Sequence, residues 1–136
     1  MTTRDRDLTA MRPNIPSIAL DKISSEEEHF QNETLRPVAK LQNELLIEVF
    51  KNYIKKHKNV FYQLNLEKRM EYLTNAIQKD VKFRNSLKGI IIGHFTMEEY
   101  RNYITNSSAL NKRMMNIVRE RLTSQIQLFE NNLENS

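Results

Sequence analysis

The sequence predicts an all-α protein, a small up-and-down helical bundle of about four to six helices with an extended N-terminal tail. Three observations predict it. Apolar residues recur at three- and four-residue spacing over most of the chain after residue 37, which on a helix gathers them onto one face. Only 2 Gly and 3 Pro occur in 136 residues, and no proline follows Pro37, so the strongest turn punctuation is missing from most of the chain. Ser, Thr and Asn stand just before several of the periodic stretches, where helix N-caps belong.

Residues 1–23 mix charges, two prolines and scattered apolar side chains without a sustained helical period, which reads as a flexible or docking tail. Arg12, Ile15, Ile18 and Leu20 form a candidate docking segment within it. The apolar three would fill pockets on a partner, and the neighbouring prolines limit the entropy lost on binding. Residues 24–136 read as a single helical domain, since a chain of this length closes one core.

Order is expected to begin at Ser24 or Ser25, where Ser24 with Glu27, or Ser25 with Glu28, makes a capping box. Pro37 lacks an amide proton and clashes with the preceding turn, so this helix should stop near Leu35 or kink. Val38, Leu41, Leu45, Val49, Phe50 and Tyr53 form the stripe of the next helix, running to about His57. Val60 and Phe61 read as core plugs in a connector. Asn65 caps a helix with stripe Leu66, Met70, Leu73, Ile77 and Val81, and the period continues to Ile91, with a break or bend preferred near Asp80; Gly93 ends the run. Thr96 with Glu99 is another capping box, opening a short helix in which Tyr100 and Ile104 face inward. Ser107 or Ser108 caps the last helix, whose stripe is Leu110, Met114, Ile117, Val118, Leu122, Ile126 and Phe129.

Hydrophobic residues make up 39% and charged residues 28%, with a mean hydropathy of -0.66, which suits a globular protein with a strongly polar surface. There is no cysteine, which excludes disulfide frameworks, zinc ribbons and thiol catalysis and suits a reducing compartment. The opening residues lack the apolar run of a signal peptide, and runs such as Leu45 to Ile47 are too short to span a bilayer. A cytoplasmic protein without membrane insertion is expected.

The motifs that carry chemistry are sparse. A di-iron carboxylate bundle needs two Glu-x-x-His pairs and two further glutamates, whereas Glu26 with His29 is the one such pair here. His94 with Glu98 and Glu99 can be imagined as a ligand group, but Thr96 and Glu99 are already accounted for by capping. Gly89 and Gly93 are not followed by the Lys and Ser or Thr of a phosphate-binding loop. No catalytic residue, cofactor or metal site is expected.

Charge is more informative. The net charge is +4 and the pI near 9.4, and the excess is local. Residues 65–95 hold Lys68, Arg69, Lys79, Lys82, Arg84 and Lys88 against Glu67, Glu71 and Asp80. A second concentration, Lys55, Lys56 and Lys58, ends the preceding helix, and Lys112, Arg113, Arg119 and Arg121 would extend the patch along the last one. These are candidate phosphate contacts, and without a helix-turn-helix signature or interleaved aromatics they would meet nucleic acid mainly through its backbone.

Over residues 35–130, the segments LRPVAKLQNELL, KDVKFRNSLKGIIIGHFTMEEY and NSSALNKRMMN resemble a group of short, uncharacterised helical bacterial proteins sometimes labelled glyoxalases. The resemblance carries no catalytic residues to transfer. Glyoxalase I is a metal enzyme whose ligands project from sheet strands, and this chain has no strand pattern to hold them, so that activity is not assigned. The expected function is a non-catalytic helical interaction protein with a protein partner. The alternative is a factor associated with RNA or the ribosome, and an enzyme with an interhelical site is disfavoured.

Overall fold

The computed structural model describes residues 1–15 and 25–129. Among them every regular element is helical: α1 (Thr3–Met11), α2 (Glu26–Phe30), α3 (Arg36–Leu41), α4 (Asn43–Lys56), α5 (Leu66–Lys79), α6 (Val81–Ile92), α7 (Met97–Ile104) and α8 (Ser107–Ser124). A π-helical turn, Gln31–Leu35, joins α2 to α3 without interruption, so the described residues form seven helices rather than four to six. None is long and apolar enough to cross a membrane.

The first helix departs from the expected extended tail. Thr2 accepts the Asp5 amide as an N-cap, and α1 is tied to the rest of the protein by charged side chains. No apolar stripe marks it, so periodicity gives no sign of it. The docking residues Ile18 and Leu20, and the alternative cap Ser24, lie outside the described residues. Ser25 caps α2 by accepting the Glu28 amide at 3.1 Å.

The chain does not break at Pro37. The Arg36 amide donates to the Gln31 carbonyl, five residues back, and this wider turn accommodates a proline that cannot take its place in the ordinary ladder. The break comes at Gln42, whose φ of -89° and ψ of 6° end α3 and re-aim the chain into α4. That break re-phases the apolar stripe. Leu46, Ile47, Phe50 and Ile54 are the buried face of α4, while Leu45 is 47% exposed.

Lys58 and Asn59 turn the chain after α4 in the left-handed region, at φ 63° and 59°. Phe61 in the following 3-10 turn (Val60–Gln63) is fully buried, but Val60 is not. Asn65 accepts the Lys68 amide and caps α5. The preferred break does occur at Asp80, whose carboxylate accepts the Phe83 amide at 3.2 Å and caps α6. Leu66, Met70 and Val81 lie on the exposed side of this pair, leaving Leu73, Ala76, Ile77, Phe83, Leu87 and Ile91 inside.

The Thr96 and Glu99 capping box is complete. Tyr100 and Ile104, expected inward, are exposed, and Tyr103 is buried in their stead. The capping position of α8 falls on Asn106, with Ser107 already helical and no side-chain cap bond. Contacts from α3, α4, α5, α6, α7 and the π turn all converge on α8, so this last helix is the axis of the core. Past it, Phe129 folds back to meet Phe50 edge-on at 5.0 Å, and Phe61 meets the same ring at 5.5 Å.

Candidate nucleic-acid interface

The helix C-terminus at Lys55 and Lys56, the left-handed turn at Lys58, and the junction between α5 and α6 come together at one end of the protein. His57 and Val60, on either side of Lys58, line the same cleft as Lys79, Asp80, Val81 and Lys82. Lys55, Lys56, Lys58, Lys79 and Lys82 make no side-chain hydrogen bond or ion pair within the described residues. Their charge is therefore available to an external anion.

The other candidate phosphate contacts are placed differently. Arg69 donates to the Leu64 and Tyr62 carbonyls at 3.0 Å each and lies 5.1 Å from the Phe61 ring centroid, so it holds the 3-10 turn. Lys68 pairs with Glu71. Arg84 donates to the Gln78 carbonyl and lines, with Lys88 and Lys112, a second cleft between α5, α6 and α8. Arg113 is bound to Glu27 and Gln31, and Arg121 to Asn43. The predicted patch is thus divided between two clefts, with unpaired lysines at each: Lys79 and Lys82 at the first, Lys88 and Lys112 at the second.

That cleft has a volume of about 760 Å³ and is lined by Tyr53, His57, Val60, Tyr72, Asn75, Ala76, Lys79, Asp80, Val81 and Lys82. The Tyr53 ring stacks on His57 at 4.1 Å and meets Phe83 at 4.2 Å with the rings tilted by 37°. Its hydroxyl donates to Asp80 at 3.0 Å. Burial, with the Asp80 hydrogen bond and charge behind it, pushes the Tyr53 phenol up to about 12. The Phe83 amide and the Tyr53 hydroxyl hold the Asp80 carboxyl below its usual range. Burial also raises Tyr72, whose hydroxyl is enclosed and has no hydrogen-bond partner among the described residues. The sequence marked Tyr53 only as part of a core stripe and did not mark Tyr72 or Phe83, because the three reach the cleft from α4, α5 and α6, which are separate in the chain.

The candidate docking residue Arg12 has a different role from the one expected of it. It makes a two-pronged ion pair with Glu99 at 2.6 Å per contact and donates to the His94 carbonyl at 2.8 Å. Thr34 donates to the same Glu99 carboxylate. Arg4 reaches the Gly93 and Phe95 carbonyls, and buried Asp5 accepts the Met97 amide at the start of α7. Burial alone would push the Glu99 carboxyl up, but Arg12, the Thr96 amide and Thr34 together hold it below its ordinary value. Burial, then the charges of Arg12 and Arg4, lower the His94 pKa. Arg12 therefore joins α1 to α7 within the fold.

His29 pairs with Glu33, one helical turn on, at the surface. Among the described residues no group of three or more His, Cys, Asp or Glu side chains stands close enough to hold a metal ion.

The arrangement defines an all-helical protein with a basic, aromatic-walled cleft at one end. In comparisons with known proteins, no family model matches the chain, and no curated protein or solved structure matches it significantly.

Proposed function

We propose that the protein acts through macromolecular contact rather than catalysis, in the cytoplasm, and that the partner its geometry suits best is RNA bound by its phosphate backbone. The observation that carries this reading is that Lys79 and Lys82 line one cleft without an ion-pair partner among the described residues, while Lys55, Lys56 and Lys58, likewise unpaired, stand on the helix end and turn that carry its lining residues His57 and Val60. Phosphate contacts release condensed counterions, so binding weakens with added salt in proportion to their number. Five contacts to a single strand give a slope of log K against log salt of about -3.5, at about 0.7 per phosphate. Fluorescence anisotropy of a labelled single-stranded RNA across a salt series measures it. Lys79→Glu with Lys82→Glu should flatten the slope and weaken binding, and association indifferent to salt overturns the reading.

A protein partner is the second reading, favoured by α7. Met97, Tyr100 and Ile104 are 43%, 46% and 53% exposed and share one face of that helix, with Glu98 exposed beside them. An apolar partner segment carrying a basic residue fits this face. Tyr100→Glu with Ile104→Glu should abolish such an association and leave the melting temperature unchanged.

A further inference from the structure

The cleft that gathers the free lysines is more than a charged surface, because its walls are aromatic and apolar and its floor has hydrogen-bonding groups to spare. Phe83, Tyr53 and His57 form a column of three rings, at 4.2 Å and 4.1 Å between successive centroids, tilted by 37° at the Phe83 end and stacked at the His57 end. The column ends at His57, which is exposed. Its outer face is where a planar group would add a fourth layer, as unpaired bases do on aromatic side chains. Val60, Ala76 and Val81 line the cleft beside this column, which is wide open to solvent, so a planar group would lie against its wall rather than be enclosed.

Asp80 stands among these groups. Its carboxylate accepts from the Phe83 amide and the Tyr53 hydroxyl, which leaves about two of its roughly four lone-pair positions unused. A carboxylate has no proton to donate, so it selects a base edge that offers N–H groups. Asn75 adds an amide that both donates and accepts. Lys79 and Lys82 flank Asp80 in sequence and line the cleft with it, within reach of a phosphate attached to a nucleoside seated there.

We propose that this cleft is a pocket for one unpaired nucleotide, that it prefers a base carrying an exocyclic amino group, and that Lys79 and Lys82 hold the phosphate. The proposal rests on the RNA reading above and goes beyond it by adding base stacking and base selection to backbone binding. Guanine offers Asp80 two adjacent N–H donors, and cytosine and adenine each offer an exocyclic amino group, whereas uracil offers a single N3–H set between two carbonyl oxygens that the carboxylate repels.

Calorimetric titration of the full chain with GMP, CMP, UMP and inorganic phosphate tests the pocket, alongside a single-stranded and a duplex RNA of equal length. GMP and CMP should bind about tenfold more tightly than UMP, and inorganic phosphate more weakly than any of them. His57→Ala should weaken all three nucleotides by about tenfold. Asp80→Asn keeps an oxygen for the Phe83 amide and so retains the α6 cap; it should bring UMP level with the others at an unchanged melting temperature. Binding of phosphate as tight as that of GMP, or nucleotide binding unaffected by His57→Ala, overturns the pocket. If single-stranded and duplex RNA then still bind with a steep salt dependence, the backbone reading survives alone. If neither RNA binds, both readings fall together.

Discussion

Tyr53 joins three jobs in one residue: its ring stacks on His57 and packs tilted against Phe83, its hydroxyl satisfies Asp80, and its backbone carbonyl faces His57 Nδ1 at 2.8 Å. Its raised pKa means that the folded state keeps the phenolic proton after the unfolded state has lost it. The stabilisation is complete below the ordinary value of 10.0 and is lost as pH rises toward about 12. Tyrosinate absorbance should show a final titration step near 12, and Tyr53→Phe should remove that step. Glu99 works in the opposite direction. Its carboxylate is held below the ordinary 4.5, so its contribution is complete above that value and is lost as pH falls through the lower folded pKa. Arg12→Ala leaves this carboxylate with one charged partner fewer in a half-buried site, and should cost about 1.5–3 kcal/mol in chemical denaturation. Amide exchange should locate the loss in α1 and the start of α7. The sequence placed Arg12 in a candidate docking segment for a partner. That its contact lies inside the chain was not legible, because Glu99 is 87 residues away.

At the scale of elements, local chemistry marked many of the helix ends correctly. Asn65, Asp80, Thr96 and Ser25 cap through their own side chains within three residues, and such bonds depend on little beyond the neighbouring backbone. The misread elements were those set by neighbours. The π turn before Pro37, the break at Gln42 and the outward face of α7 reflect how each segment meets the core. The turn after α4 yields a sharper test. Lys58 adopts a φ of 63° that costs a side-chain-bearing residue about 1–2 kcal/mol. Lys58→Gly should relieve part of that and raise stability by up to about 1 kcal/mol after glycine's entropic cost, measured by thermal denaturation. The same substitution removes a cation from the turn beside the cleft and should weaken RNA binding, so stability and affinity should move in opposite directions.

For the whole molecule, the core is organised around α8 and an aromatic cluster centred on Phe50, which meets Phe61, Tyr72, Phe83 and Phe129. Phe50→Ala opens a cavity that flanking rings can fill only by moving together, and should cost about 3–5 kcal/mol, read as a lowered denaturation midpoint. Such a loss is a large part of the stability of a domain this size. By itself the sequence determined the helical class, most of the caps, part of the core and the regional surplus of positive charge, because propensity, capping and amphipathic period act over a few residues. Tertiary structure alone decided that α1 is a helix clamped by Arg4, Asp5 and Arg12, that Arg69 is spent on the 3-10 turn, and that the aromatic rings of α4, α5 and α6 meet the free lysines in one cleft. Those outcomes are distances between residues far apart in the chain, and such distances are set by how helices pack rather than by what any one helix contains.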